Sequence, residues 1–272
     1  MTTPPSTPHE IIQAVREHYG SIARSGKSAS GCGCCSPADS GDKTGACEVL
    51  GEIMGYGRED LDAVPQGANL GLGCGNPLAL AGLQSGETVL DLGSGAGFDC
   101  FLAARRVGAQ GRVIGVDMTP EMVAKARDNA RKAEVSNVEF RLGEIEHLPV
   151  ADSRIDVILS NCVINLSADK GAVFRDAFRV LRPGGRLSVS DIVALRPLPE
   201  KVRSDLALYT GCVAGALKID RLEQLMAAAG FKQIRIEPQT DTSRRMAEAF
   251  PNTGLEGFVA SAHLSALKPT AG

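Results

Sequence analysis

The chain has 272 residues, of which 43% are hydrophobic and 22% charged, enough for one substantial core, and its formal net charge is −3. No apolar run is long enough to span a bilayer, and the start MTTPPSTPHE lacks the basic and apolar regions of a signal peptide. The absence of a basic cluster argues against nucleic acid as the main partner. We therefore predict a cytoplasmic protein that uses neither a membrane nor a nucleic acid.

The N-terminal part, residues 1–69, is predicted to be an extension that precedes the core. Its residues 9–23 place apolar side chains at helical spacing, and residues 48–55 could form a second, short helix. Residues 24–47 are rich in Gly, Ser and Cys, which predicts a loop. Residues 63–80 predict another glycine-rich loop.

From Glu87 onward, apolar strands alternate with helical stretches. The predicted strands are 88–92, 112–117, 137–143, 154–160 and 186–193, and the helices between them are 98–108, 120–134 and 170–182. This alternation predicts an α/β fold with a doubly wound, mostly parallel sheet. A helical insertion at 198–217, a helix at 220–230 and two closing strands at 231–238 and 257–269 follow. We place the core at 70–240 and a segment that completes the sheet at 241–272.

The sharpest motif is VLDLGSGAGFD, residues 89–99, between a strand and a helix. Its glycines permit a tight turn and a close approach of a ligand, but their spacing differs from the dinucleotide fingerprint. A carboxylate at the strand end would repel a pyrophosphate and attract an ammonium or sulfonium group. The candidate residues are Asp91, Gly93, Ser94, Gly95 and Gly97.

Further polar residues follow the next strands in the chain. Asp117, at the end of the second strand, could accept hydrogen bonds from a ribose, and Met118 could pack on an adenine face. The third strand is followed by Glu144, Ile145 and Glu146, and the fourth by Asn161. Because ligands bind at the carboxyl ends of parallel strands, these residues are predicted to meet in one crevice.

Together these motifs resemble those of the class I methyltransferases that use S-adenosylmethionine. The resemblance implies that Asp91 holds the amino group of the methionine part and Asp117 the ribose. It also implies that Glu144, Ile145 and Glu146 surround the adenine. Asn161 is interpreted as a polar clamp beside the cofactor.

The cysteines raise the question of the methyl acceptor. Cys162 follows the fourth strand without a neighbouring base, whereas oxygen and nitrogen acceptors usually need one. Cys74 and Cys212 lie in loops or insertions that could reach the same sheet edge, and GCGCC contains Cys32, Cys34 and Cys35. Thiolates select soft centres, and trivalent arsenic bound by three sulfurs keeps a nucleophilic lone pair.

NLGLGCGNPLAL, SNCVINLS and GCVAGAL resemble the bacterial arsenite methyltransferases. That resemblance implies arsenic ligation by Cys74, Cys162 and Cys212 and an auxiliary role for Cys34 or Cys35, of which we favour Cys35. It implies arsenite or its thiol conjugate as substrate, thioredoxin or glutathione as reductant, and a Cys35–Cys74 pair in the oxidised site. We expect a monomer. Tyr19 is expected to cover the cofactor, Cys100 to be a core residue and Cys47 a bystander.

Two other functions remain open at this point. The first is a methyltransferase for an organic acceptor such as a quinone precursor, since FRVLRPGGRLSVSDI is common to that wider group. The second is a non-enzymatic protein that sequesters a soft metalloid. A zinc site in GCGCC is also conceivable, although a second cysteine or histidine pair is missing there.

Overall fold

The computed structural model describes residues 7–25, 54–239, 255 and 257–270. Its helices are α1 Pro8–Ser25, α2 Arg58–Asp62, α3 Pro77–Ala81, α4 Phe98–Val107, α5 Pro120–Lys132, α6 Lys170–Val180, α7 Glu200–Arg203, α8 Leu206–Thr210 and α9 Ile219–Ala229. Its strands are β1 Thr88–Leu92, β2 Arg112–Asp117, β3 Val138–Leu142, β4 Ile155–Asn161, β5 Leu181–Ala194, β6 Lys232–Pro238 and β7 Val259–Leu267. None of the helices in these ranges has an apolar stretch sufficient to cross a membrane.

These strands form one sheet in the order β3-β2-β1-β4-β5-β7-β6. The pairs among β1 to β5 are parallel, and β7 runs antiparallel to both of its neighbours. The predicted doubly wound, mostly parallel sheet is therefore confirmed. The strand order reverses between β1 and β4, which is where such sheets open a ligand crevice.

Two large apolar clusters cover the two faces of the sheet. One contains Phe174, Met226 and Phe231 with α6 and α9, and the other contains Phe101, Leu102 and α4. Because both faces are covered, the central strands are nearly continuous apolar runs, as TVLDL and IDVILS are.

The glycine-rich stretch 63–80 differs from the prediction, because it contains the short helix α3. Asn76 caps this helix by accepting a hydrogen bond from the Ala79 N–H, and Pro77 occupies its first turn. A proline at this position costs nothing, since the first-turn N–H lacks an intrahelical acceptor anyway. The loop prediction overlooked this capping signal.

Other boundaries differ by a few residues. The predicted helix 170–182 ends earlier, at Val180, and strand β5 starts at Leu181 and so includes the Pro-Gly-Gly turn. The insertion 198–217 contains the two short helices α7 and α8. The predicted loop from residue 26, most of the helix at 48–55 and the boundary near 241 lie outside the described residues.

Candidate active site

A cleft opens above the carboxyl ends of β1, β2 and β4, at the point where the strand order reverses. The predicted residues that line it are Asp91, Gly93, Ser94, Gly95, Asp117, Met118, Ile145, Glu146, Asn161, Cys162 and Cys212. The side chains of α1 close one side through Ile12, Val15 and Tyr19. Because Ile145 and Glu146 follow β3, four strand ends contribute to one crevice.

The glycine loop after β1 lies between the sheet and the segment that follows β4. Gly93 has a φ of +70°, and an added Cβ would come within 2.3 Å of the Val163 side chain. The Gly95 N–H donates a hydrogen bond to Asp117 Oδ2 at 2.9 Å, which ties this loop to the end of β2. Gly97 is not part of the cleft lining, because it faces the rings of Phe101 and Phe140.

Two buried carboxyl groups, Asp91 and Asp99, share the β1 end of the cleft. Burial raises the pKa of Asp91 well above its usual value, and the negative charge of Asp99 raises it further. Burial also raises the pKa of Asp99, to about 6, against the opposing hydrogen bonds from Tyr56 and Asn161. This acidic environment would be relieved by a cationic ligand, because an opposite charge favours the ionised carboxylates.

Cys100 is fully buried, as predicted for a core residue, but it also contacts Asp91. Its Sγ lies 3.2 Å from Asp91 Oδ2, in a donating geometry. Burial and the neighbouring Asp91 raise the pKa of the Cys100 thiol, so it remains a protonated donor. The Cys100 thiol therefore fixes one oxygen of the Asp91 carboxylate from the protein interior.

Ser94 provides an independent indication of a ligand. Its hydroxyl is buried at the edge of the cleft and has no hydrogen-bond partner among the described residues. A buried hydroxyl without a partner costs about 1–3 kcal/mol, which a polar ligand group would remove. The two acids, the glycine turn and this hydroxyl fit the ammonium and carboxylate of an amino-acid moiety.

The third strand contributes less than predicted. Ile145 and Glu146 line the cleft, and Glu146 accepts a hydrogen bond from the Ser167 hydroxyl. Glu144 instead points to α1, where its Oε1 lies 2.9 Å from Arg16 Nη2. Glu144 is therefore not a direct lining residue, and it attaches the N-terminal helix to the core.

Asn161 connects the strand end to the loop that carries Cys74. Its Oδ1 accepts from the Cys74 N–H at 3.0 Å, and its Nδ2 donates to the Gly75 carbonyl at 2.8 Å. The same Nδ2 lies 3.1 Å from the Tyr56 hydroxyl, which donates to Asp99 at 2.6 Å. Asn161 thus clamps a thiol-bearing loop as well as bordering the cleft.

The three predicted arsenic-binding cysteines come together although they are far apart in sequence. Cys74 and Cys162 form a disulfide, with their Cα atoms 5.9 Å apart. The Cys212 Sγ lies 2.7 Å from the Cys162 carbonyl oxygen. Cys162 and Cys212 both have a positive φ, of 56° and 64°, a rare conformation for non-glycine residues that marks functional or tightly constrained sites.

The predicted Cys35–Cys74 pair is not the one in this structure, because the single bond available to the Cys74 sulfur is made to Cys162. The 88-residue sequence separation hid this pairing, since only the tertiary fold brings the glycine-rich loop over the end of β4. Cys32, Cys34, Cys35 and Cys47 lie outside the described residues.

The sequence reasoning missed several polar residues around the thiols. Asp191 on β5 is buried, and its carboxylate oxygen and the sulfurs of Cys74 and Cys162 all lie within 4.8 Å of one another. Burial raises the pKa of Asp191 to about 6, against hydrogen bonds from the backbone of Ile192 and Asn165. The only signal for Asp191 in the sequence was its position as an acid in the alternating strand pattern SVSDI.

Asn165 is the second residue that was missed. Its Nδ2 lies 2.9 Å from Asp191 Oδ1, 2.6 Å from the Ile192 carbonyl and 3.1 Å from the Cys212 carbonyl. Gly215 packs so closely on the Asn165 backbone that an added Cβ would come within 2.0 Å of the Asn165 backbone carbonyl oxygen. Asn165 therefore fixes the insertion that carries Cys212 to the sheet.

Tyr19 lines the cleft as expected, and its hydroxyl donates to the Thr210 carbonyl at 3.0 Å. Thr210 lies two residues before Cys212, so helix α1 is attached to the same insertion. The helix therefore covers the cleft and contacts both the β2–β3 side, through Arg16 and Glu144, and the thiol side.

Comparison with known proteins agrees with this geometry. Residues 83–230 match a family described as a methyltransferase domain. The sheet order and the cleft at its switch point thus belong to an S-adenosylmethionine-dependent methyltransferase.

More specific matches extend over most of the chain. An arsenite methyltransferase from Halobacterium salinarum is 49% identical over 271 residues, which cover 96% of this chain and 68% of that protein. Another from Aquipseudomonas alcaligenes is 42% identical over 76% of this chain and 62% of its own length. The chain belongs to the arsenite methyltransferase family.

A solved structure gives the same result. The arsenic(III) S-adenosylmethionine methyltransferase from Chlamydomonas reinhardtii matches with a TM-score of 0.60 and 33% identity, over 82% of this chain and 74% of that one. The predicted cofactor, S-adenosylmethionine, is thereby supported together with the class I methyltransferase fold.

Proposed function

We propose that this chain transfers methyl groups from S-adenosylmethionine to trivalent arsenic held by the thiolates of Cys74, Cys162 and Cys212. The observation that carries the proposal is the meeting of these three distant residues at one edge of the cofactor cleft. The chain covers between about three fifths and two thirds of the length of the curated relatives compared above, so the activity of the whole protein is part of the proposal.

The cofactor half of the proposal assigns each polar group a partner. Asp91 holds the ammonium of the methionine part and Ser94 its carboxylate, while Asp117 accepts from the ribose hydroxyls. Met118 and Ile145 provide apolar contacts for the adenine, with Glu146 as a polar neighbour. When bound, S-adenosylmethionine supplies a methyl group that is made electrophilic by the sulfonium charge.

The acceptor half requires no general base. Thiolates are the ligands that soft centres prefer, and arsenic with three sulfur ligands retains a lone pair that can accept a methyl group. The residues of the chain supply orientation, because holding the acceptor beside the donor converts an encounter into an intramolecular step. The cleft between α1 and the sheet, lined mainly by apolar side chains, provides a largely apolar environment for that step.

The Cys74–Cys162 disulfide defines an oxidised form of the acceptor half. Two electrons and two protons from a dithiol protein such as thioredoxin, or from two glutathione molecules, would convert it into two thiols. Arsenite or its thiol conjugate then exchanges its ligands for the three cysteines. Cys35, or Cys34, remains proposed as an auxiliary thiol in this exchange.

We further propose that the protein is a monomer and that it is located in the cytoplasm, where thiol reductants keep the cysteines of the site reduced. Analytical ultracentrifugation of the reduced protein tests the oligomeric state. A stable dimer would contradict that part without affecting the methylation proposal.

The proposal is tested by single cysteine-to-serine variants in an assay of methylated arsenicals by mass spectrometry. Cys162→Ser and Cys212→Ser are expected to lose methylation of arsenite while still binding S-adenosylhomocysteine. Cys35→Ser is expected to spare methylation of a monomethylated arsenical, which needs only two sulfurs. Full arsenite activity in both Cys162→Ser and Cys212→Ser would overturn the thiol site.

The two alternatives predict different products. An organic-acceptor enzyme would tolerate loss of the cysteines, and a sequestering protein would bind arsenic without consuming S-adenosylmethionine. The 49% identity to an arsenite methyltransferase along 96% of the chain supports neither of these two alternatives.

A further inference from the structure

A mixed sulfur and oxygen cluster lies at the thiol edge of the cleft. The sulfurs of Cys74 and Cys162 and a carboxylate oxygen of Asp191 lie within 4.8 Å of one another. Trivalent arsenic bound by three sulfurs uses no oxygen ligand. Asp191 is therefore a donor that the proposed methylation leaves unassigned.

The position of Asp191 is firmly fixed. Its Oδ1 accepts from the Ile192 N–H at 2.8 Å and from Asn165 Nδ2 at 2.9 Å, while Oδ2 lies 3.3 Å from the Asn165 N–H. A carboxylate has about four lone-pair positions, and the backbone of Ile164 also bonds to this group, so a metal ion would displace the longest of these contacts, that to the Asn165 N–H. The ammonium of Lys170 is the nearby positive charge, and it bonds to the carbonyls of Asn165 and Ser167.

The donor set selects a class of ligand. Two thiolates and one carboxylate suit a thiophilic divalent cation that accepts both sulfur and oxygen, as Zn2+ and Cd2+ do. Three protein ligands leave one coordination position, as in open zinc sites. The Cys212 sulfur lies 2.7 Å from the Cys162 carbonyl oxygen and is not one of the three clustered donors.

We propose that the reduced protein binds one thiophilic divalent cation of the Zn2+ and Cd2+ class through Cys74, Cys162 and Asp191, and that this cation excludes trivalent arsenic. The inference goes beyond the proposed function, although it uses two of the same thiols. Binding converts the two thiols into metal-bound thiolates and releases two protons. A phosphine reductant opens the disulfide beforehand, with water supplying the phosphine oxide oxygen and the two thiol protons.

The test is a Cd2+ titration of the full-length chain, reduced with a phosphine under anaerobic conditions. Cys32, Cys34, Cys35 and Cys47 are replaced by serine, so that the N-terminal cysteines cannot bind the metal. Calorimetry and the ultraviolet thiolate-to-cadmium absorption are followed together. One Cd2+ per chain is expected, with an affinity at least about tenfold weaker in Asp191→Asn, since even indirect partners of a metal cost tenfold or more.

Asp156→Asn is the matched control, because Asp156 lies near the start of β4 whereas Cys162 follows its opposite end. It is expected to bind Cd2+ like the parent. Arsenite titrations complete the design: Asp191→Asn should bind trivalent arsenic as the parent does, and Cd2+ should displace arsenic from the parent.

Equal Cd2+ affinity in the parent and in Asp191→Asn would overturn the inference. An equal loss of Cd2+ and arsenic binding would also overturn it, because Asp191 would then only position the cysteines. If Asp191→Asn does not fold, X-ray absorption of the Cd2+-bound parent decides, and a shell of sulfur alone contradicts the site. Arsenite methylation by the parent is measured separately, so failure of the metal site and failure of the proposed function are distinguishable.

Discussion

The cofactor half of the cleft, around Asp91 and Ser94, and its acceptor half, called the thiol half below because it contains Cys74, Cys162 and Cys212, are built in different ways. The part of the cofactor half that is assigned to the methionine moiety lies on a single strand, turn and helix, residues 88–107, whose acids, glycines and serine are neighbours in sequence. The thiol half is assembled from three segments around residues 74, 162 and 212, which long-range hydrogen bonds hold together. Local sequence can therefore specify the methionine-binding part of a cofactor site, whereas a soft-ligand site with this geometry needs segments that only the tertiary fold brings together.

Asn161 and the Tyr56–Asp99 pair join the two halves. The Asn161 amide contacts the Cys74 loop on one side and the Tyr56 hydroxyl on the other. Because Asp99 lies next to Asp91 in the cofactor half, this network places the acceptor loop in register with the cofactor acids. The following predictions test how separate the halves are, from the largest expected effect to the smallest.

The largest effect is expected for Asp91→Asn in the cofactor half. Loss of a buried charge partner should weaken S-adenosylhomocysteine binding about 100-fold, as for other truncated buried charge pairs. Isothermal calorimetry measures this change, and arsenite binding by the reduced protein should stay within twofold. Asp128→Asn, at an exposed aspartate, serves as the control. A parallel loss of arsenite affinity would show that the halves are not separate.

Asn165→Ala is expected to have the opposite selectivity. It removes the amide that contacts Asp191 and the Cys212 carbonyl, so arsenite affinity should fall about tenfold, the size of one lost buried hydrogen bond of 1–3 kcal/mol. S-adenosylhomocysteine affinity should remain unchanged in calorimetry. Asn137→Ala removes a comparable amide that bonds to the carbonyls of Ala104 and Gly108, and it should lower stability without affecting arsenite.

The pH dependence of stability should reveal the buried acids. The pKa of Asp99 is raised from 3.8 to about 6, so between these values the folded state binds more protons than the unfolded state. The free energy of unfolding therefore decreases as pH rises through this window. Asp99→Asn should make this decrease shallower in chemical denaturation measured from pH 4 to 7.

Asp191, with a pKa of about 6, adds to the same decrease, so Asp99→Asn should reduce it only in part. Asp176→Asn is the contrasting control, because the pKa of Asp176 is lowered and its contribution disappears only as pH falls below 3.8. An unchanged slope in Asp99→Asn would contradict the assignment of a raised pKa to that residue.

The smallest effect is expected for Arg16→Ala, at the contact between α1 and the third strand end. The Arg16 and Glu144 side chains are 41% and 36% exposed, and ion pairs of this kind contribute about 0–1 kcal/mol. Chemical denaturation should show at most a shift of that size, with weak salt dependence. A loss of cofactor affinity beyond about fivefold, which corresponds to more than the roughly 1 kcal/mol that such a pair contributes at most, would instead assign α1 a role in closing the cleft.

Much of this protein follows from its sequence alone. Alternating strands and helices, each with its own period, determined the parallel sheet, because hydrophobic periodicity is a local property. The D-x-G-x-G-x-G turn placed Asp91 and its glycines at the cofactor end for the same reason. The helix at Pro77–Ala81 was also encoded locally, by the Asn76 cap, although the abundance of glycine concealed it.

The thiol half depended on tertiary structure. No local pattern states that Cys74 bonds to Cys162, that Asn165 anchors the Cys212 segment, or that Asp191 faces the sulfurs. The first two of these contacts join residues 88 and 47 positions apart, and only the stacking of loops over the ends of β4 and β5 creates all three. Sequence determines which side chains are available to the site, while packing of the sheet edge decides which of them meet.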